Sequence, residues 1–206
     1  RLYARSLLEK VEATGPLPFG RVLQVGAQLA SALDHAHGEG VLHRDVKLEN
    51  VLFDDQSSDV ALADFGIATV PGFSGGAQGL SVRYSAPEIL AGGEPSEATD
   101  VFALGVLLTA AFEGALPEPG VRLAPTVVED EPASQLDGLL WRMVSPQPDA
   151  RPSTAEVLGQ LQLFQSLAGL DVTRTPGPDP VLRSSTTIAW NDDEPEPRDA
   201  STRGSV

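Results

Sequence analysis

The chain has no cysteine among its 206 residues, which excludes disulfides, thiolate metal sites and cysteine nucleophiles together. Aromatic residues make up only 5%, so any core must be built mainly from Leu, Val and Ala. Basic residues are scarce as well: 14 Lys and Arg stand against 29 Asp and Glu, a net charge of −15. A nucleic-acid binder needs a basic face to neutralise phosphates, and this balance argues against one. The acidity otherwise speaks for solubility rather than for a particular function. Long apolar runs are missing too. The best, Val101 to Phe112 (VFALGVLLTAAF), falls short of the ~18 residues expected of a membrane span and reads as a buried helix. The sequence opens on Arg1 with no signal-peptide pattern behind it. That leaves two expectations, a processed chain or a start partway through a longer protein.

What is present suits one domain and a tail. Hydrophobic residues reach 41%, enough for a core, and the length fits a single domain of roughly 100–200 residues. SLLEKVEATGPLP reads as a short helix stopped by Gly15-Pro16 and Pro18. From Val22 to His37 apolar residues recur at helical spacing (Val22, Val25, Leu29, Ala32, Leu33, Ala36), and Gly38 and Gly40 close the element. Two short strand-like runs follow, Asn50–Phe53 and Val60–Ala63, around the polar turn DDQSSD. Residues 70–80 are glycine-rich and read as a mobile loop. A helix from about Thr99 to Glu113 is apolar on every side and therefore buried. Two more helical stretches, near Ser134–Val144 and Ser153–Leu167, flank the turn PDARP, with Ser153 or Thr154 as cap and Glu156 as a capping-box partner. These readings place a domain at 1–167. Residues 168–206, rich in Pro, Ser, Thr and acids, form a tail with too little apolar surface to offset the entropy of ordering.

Three signatures occur in order. His43-Arg44-Asp45-Val46-Lys47-Leu48-Glu49-Asn50 fits H-R-D-L-x-x-x-N except at Val46. Asp64-Phe65-Gly66 follows the second strand, and Ala86-Pro87-Glu88 follows the glycine-rich loop. Either triplet alone arises by chance, whereas the ordered set is specific. On these residues the chain resembles the Hanks-type serine/threonine protein kinases, over roughly residues 2–165, and has the look of bacterial members. The resemblance implies an α+β, mainly α fold: the helical C-terminal lobe of a protein kinase with short β-hairpins and the N-terminal lobe missing.

It also implies ATP and Mg²⁺ as cofactors and protein substrates as partners. Phosphoryl transfer depends on in-line positioning and on neutralising phosphate charge. Asp45 is then the base beside the incoming hydroxyl. Lys47 carries positive charge to the transferred phosphate, and a lysine there marks the serine/threonine members. Asn50 and Asp64 supply the oxygen ligands that Mg²⁺ prefers. His37 and Asp100 look like structural members of the family's central helices, and Arg151 like the arginine that pairs with Glu88. Arg44 is the phosphate partner that activation-loop phosphorylation requires. Thr69 and Ser74 are the candidate acceptors, beside an equal reading as solvated loop residues. With no span in the chain, such a kinase is expected in the cytoplasm.

Bland readings stand beside these. His35 and His43 suit structural roles better than chemistry, and Asp192–Glu196 reads as a solvated tail rather than a metal site. Gly38-Glu39-Gly40 mimics half a nucleotide fingerprint but does not open a helix after a strand. The 206 residues hold no G-x-G-x-x-G loop or V-A-I-K lysine upstream of His43. The stretch from Gly114 to Ser134 is short and proline-rich, so a substrate-docking helix there is expected to be reduced. Three functions follow. The first is a serine/threonine kinase that works when completed by an N-lobe. The second is a truncated, inactive interaction module. The third is a small-molecule kinase of related fold, disfavoured by Ala86-Pro87-Glu88 and the apolar helix after it.

Overall fold

A computed structural model describes residues 5–53, 59–65, 82–116 and 131–169. The chain enters as strand β1 (Arg5–Ser6) and turns at once into α1 (Leu7–Thr14). Ser6 starts that helix with a capping box: its hydroxyl accepts from the Glu9 N–H at 3.2 Å, and the Glu9 carboxylate accepts from the Ser6 N–H at 3.0 Å. Helix α2 (Phe19–Gly38) follows Pro18, and its apolar stripe is buried as the periodicity requires. A 3₁₀ turn (Leu48–Asn50) leads into β2 (Val51–Phe53), which pairs with β3 (Val60–Leu62). Four helices complete the fold: α3 (Pro87–Leu90), α4 (Glu97–Glu113), α5 (Glu131–Met143) and α6 (Thr154–Leu167). Ser153 caps α6, with Glu156 as its capping-box partner.

The sheet is antiparallel in the order β1-β2-β3, with Arg5 opposite Phe53 and Val51 opposite Leu62. Strand β1 has no sequence signal of its own, since two residues carry no alternation to read. Asn50, expected at the start of a strand, lies in the 3₁₀ turn instead. That shift of one residue matters because the turn points its amide back at the preceding loop.

The core is leucine-based, as the shortage of aromatics demands. Leu23, Leu29, Leu33, Leu104, Leu107, Leu108, Leu136, Leu139 and Leu161 are all under 2% exposed. Helix α4 is buried along almost its whole length, against α2 and α5, while α2 packs most extensively on α6. Close approach rests on two glycines. A Cβ on Gly26 would come within 3.0 Å of Leu161 Cδ1, and one on Gly105 within 2.8 Å of Met143 Cβ. Helix α4 stops at Gly114, whose φ of 78° suits glycine and whose Cα faces Pro16. Among the described residues, no helix is long and apolar enough to cross a membrane. The glycine-rich loop, Thr69, Ser74, residues 117–130 of the stretch where a reduced docking helix is expected and the tail beyond Gly169 lie outside the described residues.

Candidate active site

The buried carboxylate of Asp100 sets the position of the loop that carries the candidate residues Asp45, Lys47 and Asn50. It is 1% exposed, in the first turn of α4, and accepts the N–H groups of His43 at 2.9 Å and Arg44 at 2.8 Å. His37 Nε2, from the last turn of α2, lies 2.9 Å from the same carboxylate. Two helices are thereby tied to one loop through a charged acceptor, stronger than a neutral one. Arg44 has φ 69°, in the left-handed region. A non-glycine residue there carries strain, held by the bond from its N–H to Asp100.

His43 is fully buried and makes a second tie. Its Nε2 is 2.9 Å from the Ala63 carbonyl, which can only accept, so the proton resides on Nε2. Nδ1 then accepts from the Asp45 N–H at 3.3 Å. Burial holds the His43 pKa below the ordinary imidazole value, with Asp100, the Ala63 carbonyl, Asp45 and Asp64 pulling weakly the other way. The ring lies 4.4 Å from that of Phe65. His43 is therefore the structural residue the sequence suggested.

Three of the four predicted site residues meet directly. Lys47 Nζ is 2.6 Å from Asp45 Oδ2. Asn50 Nδ2 donates to the same oxygen at 2.9 Å and to the Asp45 carbonyl at 2.8 Å. Both amide hydrogens of Asn50 are thus committed to Asp45, and the amide group that remains is its oxygen. Asp64 is joined through its neighbour: the Ala63 N–H donates to the Asn50 carbonyl at 2.8 Å, while the Ala63 carbonyl accepts from His43. Asp64 is exposed and left-handed, with φ 62°, a conformation aspartate tolerates better than most residues.

Glu88 and Arg151 are paired as expected. The guanidinium binds the carboxylate in a two-pronged contact of 2.5 and 2.7 Å, and also donates to the carbonyls of Ala98 and Ser145. Burial works against the Glu88 charge, but the Arg151 hydrogen bonds, the Glu88 backbone N–H and the Arg151 charge together outweigh it and hold the carboxyl below its usual range. The pair fastens Ala86-Pro87-Glu88 to the start of α4. Only the structure shows the contact of Tyr84, whose hydroxyl accepts the Leu48 N–H at 3.4 Å and whose pKa is raised by burial and by the nearby Glu49 carboxylate. An aromatic two residues before Ala86 was the available signal. A cavity of about 690 Å³ opens between the N-termini of α4 and α6 and includes none of the four site residues. Ser153 there is occupied as a cap and Arg151 as the partner of Glu88.

A helical lobe that presents a carboxylate, a lysine and an amide on one pinned loop, with a second carboxylate following just after strand β3, has the layout of the large lobe of a protein kinase. The sequence matches the protein kinase domain family over residues 2–161, and the chain belongs to that family. Serine/threonine-protein kinase PknK of Mycobacterium tuberculosis is 34% identical over 195 residues, which covers 85% of this chain and 18% of that protein. PknI of the same species is 36% identical over 143 residues, covering 66% and 23%. PrkC of Bacillus subtilis is 31% identical over 147 residues, covering 69% and 22%. The crystal structure of the PknI kinase domain superposes with a TM-score of 0.63 at 31% identity, covering 80% of this chain and 64% of that one. The chain therefore spans between 18% and 23% of the length of these three curated relatives. These relatives are named serine/threonine-protein kinases, and the protein kinase family uses ATP and Mg²⁺.

The donor set fits that cation. Among the described residues no group of three or more His, Asp or Glu gathers into a protein-only metal cage. One carboxylate and one amide oxygen suit Mg²⁺, which keeps several waters and binds substrate phosphates beside a few protein oxygens.

Proposed function

We propose that this chain carries the catalytic loop of an ATP-dependent kinase that phosphorylates serine and threonine hydroxyls of proteins when an N-lobe completes it. ATP with Mg²⁺ supplies the phosphoryl group and the cation that neutralises its charge. Asp45 orients the acceptor hydroxyl and takes its proton. Lys47, already 2.6 Å from Asp45 Oδ2, links the base to the place where phosphate charge develops. Asn50 has two roles: its NH₂ group restrains Asp45, and its oxygen joins Asp64 as a Mg²⁺ ligand. The observation that supports this reading most is the convergence of Lys47 and Asn50 on one oxygen of Asp45.

The test is Asp45→Asn in the full-length protein, assayed by transfer of labelled phosphate from ATP to a serine-containing protein. The expected loss is at least ~100-fold, the usual contribution of a positioned base. Transfer that survives this change removes Asp45 as the base. A full-length wild-type protein that transfers no phosphate supports instead the inactive interaction module.

A further inference from the structure

The buried residues Val157, Leu161 and Phe164 hold α6 in the core, where it packs on α2 and α5. Its outer side is a different surface. Ala155, Gly159, Leu163 and Leu167 recur there at every fourth position, and all four are exposed. Leu163 is 54% and Leu167 61% exposed, a cost that nothing in this chain offsets. Residues four apart form one ridge on a helix surface. Glu156 is the one charged residue of the fourteen in α6, so the ridge lacks the charges that normally solvate an outer face. Glycine is a poor helix former, yet a Cβ at Gly159 would meet nothing within 4 Å. Gly26 and Gly105, by contrast, are held to glycine by neighbours in the same chain.

We propose that this ridge is a self-association surface, on which two copies of the chain pair through antiparallel α6 helices. The proposal stands apart from phosphoryl transfer and does not depend on it. The order of sizes along the ridge, two small residues and then two leucines, identifies the occupant. A two-fold axis level with residue 161 sets Ala155 opposite Leu167 and Gly159 opposite Leu163, and the reverse on the other side. Each leucine then fills the space over a small residue. A parallel copy in register would instead set leucine against leucine. A two-fold contact has to be complementary to itself, and this pattern is. Charge agrees with size: the same axis brings Glu156 level with Ser166 rather than with a second carboxylate. Antiparallel helices also place the positive end of each dipole beside the negative end of the other. The contact strip is about 21 Å long and about 10 Å wide on each copy. That is small against the roughly 800 Å² per partner of a standard interface, so the dimer is weak and forms only at high concentration.

Sedimentation equilibrium of the full-length protein, from about 1 μM to about 1 mM, is expected to show monomers in exchange with dimers. Leu163→Glu is expected to weaken the dimer at least about tenfold, since losing a central anchor commonly has that effect. Gly159→Leu separates pairing from folding. Within one chain the new side chain has open space and belongs to a better helix former, so the melting temperature is expected to be no lower than that of the wild type. Between copies it collides with Leu163, and the dimer is expected to weaken by a similar factor. Ala155→Cys and Leu167→Cys test the direction of pairing. Mixed and oxidised, the two variants are expected to form a disulfide that mass spectrometry maps to these positions. Either variant alone holds its two thiols about 18 Å apart along the helix, beyond the ~7 Å between Cα atoms that a disulfide tolerates. A wild-type protein that stays monomeric up to about 1 mM overturns the proposal. So does a dimer left unchanged by both Leu163→Glu and Gly159→Leu. Cross-linking of Ala155→Cys to itself, in place of Leu167→Cys, overturns the antiparallel pairing.

Discussion

His43 shows how one buried side chain links the site to solution conditions. Its imidazole is held neutral by burial, whereas the same ring in the unfolded chain titrates near 6.5. Between that pH and the lower folded value the unfolded state binds the extra proton, so stability falls as pH drops through the window. Glu88 acts in the same direction at lower pH. Its folded pKa lies below the ordinary carboxylate value, so its contribution is complete above that value and is lost as pH falls through the folded one. Urea midpoints are accordingly expected to decline between about pH 7 and about pH 5. In His43→Gln, which cannot take up a proton, that stretch is expected to flatten while the decline at lower pH remains. A wild-type midpoint constant from about pH 7 to about pH 5 contradicts the assignment of a neutral buried ring. Asp45, Lys47, Asn50 and Asp64 could be picked out from spacing alone. The contact of Tyr84 with Leu48 could not, because it joins residues 36 positions apart in sequence.

Among the elements, α4 has the least freedom. Its all-round apolar character called for burial, and the helix is covered by α2 and α5. Gly105 lets α5 approach so closely that an added Cβ meets Met143 Cβ at 2.8 Å and Val144 Cγ1 at 3.0 Å. Gly105→Leu is expected to destabilise the fold by about 3 kcal/mol or more, since overpacking outweighs the roughly 1 kcal/mol gained by removing glycine from a helix. A calorimetric melting temperature equal to that of the wild type refutes the close packing. The effect reaches the site, because the first turn of the same helix presents Asp100 to the catalytic loop. Capping was legible beforehand at Ser153 and Glu156, a local pattern three residues long. Strand β1 was not: it exists only because β2 offers an edge to pair with.

For the whole molecule, the described core ends at Phe164, three residues before the end of α6. This supports the proposed boundary near residue 167. Deleting residues 170–206 is expected to leave the melting temperature within about 2 °C, because it removes none of the described core, and a change of ~1 kcal/mol moves a domain of this size by only a few degrees. A larger drop places part of the stabilising surface beyond the boundary.

The sequence by itself determined the family, the order of the helices, the leucine character of the core and which residues are candidates for the chemistry. Those properties follow from residue type, short-range spacing and 3.6-residue periodicity, all of which can be read along the chain. Only the tertiary structure decided that Lys47 and Asn50 share one oxygen of Asp45 and that Asp100 holds the loop from 55 residues downstream of Asp45. The physical reason is that a hydrogen bond depends on distances between segments. Such distances are set by how α1, α2 and α4 pack together, which no local pattern specifies.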